Sequence, residues 1–196
     1  MEQLEQRLTH LRTRIQTAYE GLGQSSGRPY VYFVYPPAAH QQVQRFIEEL
    51  FMALPSLYAI RVDLLDLTIA ALRGEELARE ALMIDPDISK SSVAPQEIAG
   101  IWQEELREYV LGELAEAPAN ARPIVFFEGL AALHPLTNPT AVMEQFAEHS
   151  LDNPVNGRPV PIVLFVPGFP VRHMSRTYHF LTEASQPLLM YRGEDI

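Results

Sequence analysis

The sequence predicts an α/β domain: a mainly parallel, five-stranded sheet in three layers, with helices on both faces. Two observations carry this expectation. Stretches rich in β-branched and aromatic residues alternate along the chain with amphipathic stretches of helical period. That is the pattern of strands joined by right-handed helical crossovers. In addition, three of the five strand segments lack polar alternation, as strands covered on both faces do. With 196 residues, 47% hydrophobic and 20% charged, the chain can bury a sizeable core and is not compositionally disordered. No repeat or compositional shift divides it, so residues 1–196 are expected to form a single domain.

Leu4, Leu8, Leu11, Ile15 and Tyr19 recur at helical spacing and predict an N-terminal helix within residues 1–22. Gly21 and Gly23 end it. Pro29 to Tyr35, PYVYFVY, reads as the first strand. Pro36-Pro37 closes that strand, and Val43, Phe46, Ile47, Leu50, Phe51 and Leu54 mark a second amphipathic helix, closed by Pro55. Ser56 to Leu64 reads as the second strand. Asp63 or Asp66 can cap the next helix, LTIAALRGEELAREAL, with Gly74 weakening its middle. Ile84 to Gln96 is the most loop-like segment, and residues 84–96 are expected to be a mobile excursion. Ile98, Ile101, Trp102, Leu106, Tyr109, Val110 and Leu114 mark a long helix.

Pro123 to Phe127 begins the third strand, an uncharged run that stops at Glu128 and Gly129. Asn138-Pro139 is an N-cap followed by proline at the first helical position. Val142, Met143 and Phe146 form the buried stripe of that helix. DNPVNGRP is a turn, and Val160 to Gly168 is the fourth strand. FPVRHMSRTYHFL is expected to contain a short helix. Gln186 to Gly193 reads as the fifth strand.

Composition excludes several function classes. There is no cysteine, hence no disulfide, thiolate metal site or cysteine nucleophile. A net charge of −10 and a single lysine, Lys90, argue against a DNA-contacting module. No apolar run approaches the roughly 20 residues of a membrane span. The charged, amphipathic start is unlike a signal peptide, and a cytoplasmic location is expected.

In an open parallel sheet, ligands lie at the carboxyl ends of the strands. A phosphate-cradling loop after the first strand needs the pattern GxxxxGK[ST]. The residues there, Tyr35 to Arg45, have no glycine or lysine, and two prolines remove amide donors. At the end of the third strand, Glu128 has the address of a carboxylate that organises Mg²⁺ or water. Phe127 stands where a second acid would precede it. The alternative role for Glu128 is to cap a turn or pair with an arginine.

His10, His40, His134, His149, His173 and His179 have no metal-ligand spacing, and no GxSxG elbow surrounds Ser175. No cofactor or metal site is expected. Arg172, His173 and Arg176 form the only local basic cluster, either a solvated face or a contact for an acidic partner or a phosphate. Tyr35, Pro36, Pro37, His134, Pro135, Pro167, Phe169, Pro170 and Tyr178 fall at or beyond strand ends. Such a rim suits a protein interface better than a catalytic cleft, although packing between loops would also use these residues. The partner-binding rim is therefore expected at Tyr35, Pro36, Pro37, Glu128, His134, Pro167, Phe169, Arg172, Arg176 and Tyr178.

Four segments taken in order, YFVYPPAAHQQVQRFIEEL, IRVDLLDLTIAAL, FFEGLAALHPLTNPTAVMEQF and PIVLFVPGFP, resemble the BrxB family of the BREX bacteriophage-exclusion systems. The likeness extends over nearly the whole chain, in a Tyr-Pro-Pro strand end, paired Asp-Leu, a glycine turn followed by His-Pro, and a terminal Pro-Gly. It implies a sheet similar to the AAA/P-loop-type core without a functional P-loop. It also implies a non-catalytic scaffold subunit of an antiphage complex. The implied partners are a PglZ-type phosphatase-like protein and the large BREX ATPase, with no membrane partner. VRHMSRTYHFL departs from the family, which tends to be glycine-rich there. The rival expectation is a divergent nucleotide-binding, ATPase-like enzyme with a degenerate phosphate loop. In it Glu128 would polarise water, and Arg172 or Arg176 would contact phosphate.

Overall fold

The computed structural model describes residues 2–17, 30–53, 57–74, 77, 94–148 and 151–196. Among the described residues, helices α1 (Glu2–Gln16), α2 (His40–Ala53), α3 (Leu64–Leu72), α4 (Ala94–Ala115) and α5 (Pro139–Glu148) pack around strands β1 (Tyr30–Tyr35), β2 (Tyr58–Asp63), β3 (Pro123–Glu128) and β4 (Ile162–Pro170). Three short strands follow: β5 (Thr177–Phe180), β6 (Pro187–Leu189) and β7 (Gly193–Asp195). The sheet order is β2-β3-β4-β1-β7, and every neighbouring pair in that series is parallel. An α/β architecture with a mostly parallel sheet is therefore what the chain adopts.

The pleat explains why β1, β3 and β4 lack polar alternation. Val31, Phe33, Tyr35, Ile124, Phe126, Val163 and Phe165 bury one face against α1 and α2, through Leu8, Leu11, Ile15, Val43, Ile47 and Leu50. Tyr32, Val34, Val125, Phe127, Leu164 and Val166 bury the other, against Trp102, Leu106, Val110 and Leu114 of α4 and Val142, Met143 and Phe146 of α5. Both faces of each strand are thus core, at about 1.5–3 kcal/mol per fully buried large side chain.

Asn138 caps α5, its Oδ1 accepting from the Ala141 amide at 3.1 Å. Asn138→Ala is expected to lower stability by about 1 kcal/mol, read as a shift in the urea midpoint with an unchanged slope.

Several elements differ from expectation. The helix expected within FPVRHMSRTYHFL is absent. Thr177–Phe180 is instead β5, pairing antiparallel with the end of β4, Phe180 opposite Gly168 and Tyr178 opposite Pro170. His173, Arg176 and Leu181 have φ of 63°, 55° and 63°, which no right-handed helix contains. The expected fifth strand, Gln186 to Gly193, is divided. Pro187–Leu189 pairs antiparallel with β5, and the chain then turns so that Gly193–Asp195 lies parallel to β1.

Strand β4 begins at Ile162 rather than Val160 and runs on to Pro170. Helix α3 starts directly after Asp63 and ends at Leu72, so Gly74, at φ 92°, lies beyond it rather than in its middle. Tyr19, Gly21 and Gly23, the closing Pro55, and most of the Ile84–Gln96 segment lie outside the described residues. The last three residues of that segment open α4.

Strand β7 closes the far edge of β1. A Cβ on Gly193 would enter the Tyr32 ring, so the close approach of this strand requires glycine. From α1, Arg7 donates to the Val34 carbonyl at 2.8 Å and to the Ile196 carbonyl, and Arg14 donates to Glu194 at 2.7 Å. Among the described residues, no helix is long and apolar enough to cross a membrane.

Candidate functional site

The carboxyl ends of β1, β3 and β4 meet on one rim, with β4 between the other two. The turn after β1 is compact. Pro36 is extended (φ −58°, ψ 133°), and Pro37–Ala39 forms a single 3-10 turn leading into α2. The Ala39 amide donates to the Pro36 carbonyl at 2.8 Å, and the His40 amide donates to the Pro37 carbonyl. With two prolines in the turn, most of the donors that a phosphate loop would aim at its anion are missing or already engaged.

Tyr35 closes the space beside this turn. Its hydroxyl is 3.0 Å from His40 Nδ1, and the two rings stack with centroids 6.2 Å apart. Burial, reinforced by the nearby Glu128 carboxylate, pushes the Tyr35 phenol up to about 12.

Glu128 ends β3 and is only 3% exposed. The β2–β3 register sets Arg61 opposite Phe126 and Asp63 opposite Glu128, so Arg61 and Glu128 share one face of the sheet. Arg61 meets the carboxylate with two parallel bonds, Nε to Oε1 at 2.8 Å and a terminal nitrogen to Oε2 at 3.0 Å. The same terminal nitrogen reaches Glu48 of α2 at 3.0 Å, and the guanidinium lies 4.5 Å from the Phe51 ring centre. The Glu128 hydrogen bonds hold the Arg61 guanidinium well above its ordinary value, against the opposing effect of burial. A two-pronged arginine–carboxylate pair of this kind is strong and fixes orientation. Of the two roles open to Glu128, arginine pairing is the one the geometry realises.

Asp63 caps α3, its Oδ1 accepting from the Leu65 amide at 2.8 Å and the Asp66 amide at 3.3 Å. Gly129 lies against that cap with φ 64°, where a Cβ would collide with the Asp63 carboxylate. Beside these residues opens a cavity of about 530 Å³, lined by Arg61, Asp63, Asp66, Leu67, Tyr109 and Glu128. Among the described residues, no group of three or more histidines and acids is placed to hold a metal ion.

The expected rim is not one surface. Tyr35, Glu128, Pro167 and Tyr178 are buried. Tyr178 is fully enclosed, its hydroxyl 3.0 Å from the Thr140 hydroxyl and its ring 6.0 Å from that of Tyr32. It belongs to the core because β5 folds back beside the sheet. Pro37 and Phe169 are half-buried, while Pro36, His134, Arg172 and Arg176 are exposed. The basic cluster sits on a hairpin turn, not a helix face.

Sequence reasoning passed over Arg61, Asp63 as partner of Gly129, and Thr140. Arg61 had a usable signal: it is the lone cation of the strand YAIRVD, set between Ile60 and Val62, and a single acid ends the apolar run PIVFFE. Comparison with protein-family models, curated proteins and solved structures finds no match for this chain.

Proposed function

We propose that this protein works by contact, as a non-catalytic scaffold subunit of a bacteriophage-exclusion complex of the BREX type, and that a PglZ-type phosphatase-like protein is its partner. The sequence resemblance to the BrxB family supplies the biological setting. One observation carries the non-catalytic part: the carboxylate at the acid position, Glu128, is buried and spanned by both prongs of Arg61. A carboxylate that positions water or Mg²⁺ needs lone pairs aimed at that ligand. Here an internal cation already donates one hydrogen bond to each carboxylate oxygen and neutralises the charge. The prolyl turn after β1 supports the same reading, since it offers few free amides to an anion at the end of that strand.

The rival reading, a divergent nucleotide-binding enzyme, has the cavity beside Arg61 and Asp63 in its favour. Calorimetry separates the two. Titration with ATP or GTP and Mg²⁺ at millimolar concentration is expected to give no binding heat, while a tagged form captures a PglZ-type protein. Saturable nucleotide heat that disappears in Arg61→Ala would replace the contact reading with the enzymatic one.

A further inference from the structure

We infer that the turn joining β4 to β5, residues 171–176, is a preformed docking tip for a carboxylate-rich surface of a partner protein; this rests on the contact reading above.

The tip stands on a rigid base. Gly168 pairs with Phe180 so closely that a Cβ there would strike the His179 carbonyl. The Val171 amide donates to Thr177 at 2.9 Å, the Leu181 amide to Pro167 at 3.0 Å, and the Met190 amide to Arg176 at 2.9 Å. Below the turn, Tyr178 is locked in the core by Thr140. Functional loops sit on scaffolds of this sort because the scaffold fixes where their side chains point.

Arg172, His173, Met174, Ser175 and Arg176 are all exposed, Met174 at 54%. Other arginines are committed inside the molecule: Arg7 to backbone carbonyls, Arg14 to Glu194, and Arg61 to Glu128 and Glu48. Arg172, His173 and Arg176 form no ion pair among the described residues. On a chain of net charge −10, counted with histidine neutral, the Arg172 and Arg176 guanidinium groups are positive charge with no ion-pair partner among the described residues.

The backbone adds a second, independent observation. Only four non-glycine residues among those described have positive φ, and two of them, His173 at 63° and Arg176 at 55°, are in this turn. Glycine would take those angles without strain. Side chains kept at strained positions fit a requirement for the side chains themselves. Two guanidinium forks beside an exposed thioether match a surface of Asp and Glu with an apolar spot. The acidic body of the protein disfavours a polyanion as long as DNA, which would run past the tip onto negative surface.

Three probes test this by surface-immobilised binding at low and physiological salt: a PglZ-type subunit, poly-L-glutamate and duplex DNA. Wild type is compared with Arg172→Glu/Arg176→Gly and with Arg158→Glu, an exposed arginine at the opposite end of β4. The glycine relieves backbone strain, so the double variant is expected to melt no lower than wild type. Its association rate with the subunit and with poly-L-glutamate is expected to fall about tenfold, while Arg158→Glu binds as wild type. Equal poly-L-glutamate association by wild type and the double variant would overturn the tip. DNA binding that is lost in the double variant would overturn it in favour of a nucleic-acid contact. A wild type that ignores the PglZ-type subunit but shows the poly-L-glutamate difference would remove the partner assigned above and leave the tip standing.

Discussion

Replacing Arg61 by alanine is expected to destabilise the fold by about 3 kcal/mol, the lower end of what breaking a buried ion pair costs. The lower end applies because the two partners differ in exposure. Glu128 is 3% exposed, whereas the Arg61 side chain is 39% exposed, so water can reach the vacated position and partly solvate the carboxylate. The loss has three parts: two hydrogen bonds to Glu128, one to Glu48, and the contact of the guanidinium with the Phe51 ring. A double-mutant cycle isolates the first part. Arg61→Met combined with Glu128→Leu is expected to recover most of the loss, because an apolar pair leaves no stranded charge in a site already walled by Phe51 and Phe126. Urea denaturation of the four proteins measures it. Strictly additive effects would mean that the pair contributes nothing as a pair, and would free Glu128 for another role.

Gly129→Ala is expected to cost about 3 kcal/mol, from a left-handed backbone angle, a lost helix cap and a steric collision together. Gly157 provides the control. It has the same φ of 64°, yet a Cβ there meets nothing within 4 Å. Gly157→Ala should therefore cost only the conformational part, about 1 kcal/mol. The difference between the two melting shifts reads the contact between Gly129 and Asp63. Asp63→Ala in the Gly129→Ala background should cost less than Asp63→Ala alone, since the carboxylate it removes is the one being struck. Equal melting shifts for the two glycine variants would show that the crowding at Asp63 relaxes freely.

These two sites mark where sequence legibility ends. The central strands were readable because burial on both faces leaves a direct trace, an apolar run such as YVYFVY or IVLFV. The α5 cap was readable because Asn-Pro is a local signal. The Arg61–Glu128 pair was not, because it joins residues 67 positions apart through a register that neither strand encodes alone. Gly129 was visible as a turn residue and Asp63 as a candidate helix cap, but the contact between them was not.

The stretch 171–181 was misread for a definable reason. Val171, Met174, Tyr178 and Leu181 recur at intervals of three and four, the period of a helix, while the left-handed angles at His173, Arg176 and Leu181 that forbid one leave no mark in residue types. Strand β7, Gly-Glu-Asp, has no strand-like composition at all. It is a strand because β1 offers an open edge and Gly193 can lie against Tyr32. The rim failed at Tyr178 for a related reason, since a hairpin that returns beside the sheet carries its aromatic inward.

Strand β1 acquires its first neighbour, β4, more than a hundred residues after it is synthesised, and its second, β7, only with residues 193–195. On the ribosome, this strand, with four aromatics in six residues, therefore keeps one edge of its backbone unpaired until residues 193–195 have been made. Its closure depends on a three-residue strand of weak intrinsic preference. A nascent chain stalled before that point would expose this strand as an adhesive edge, and would be a ready client for holdase chaperones.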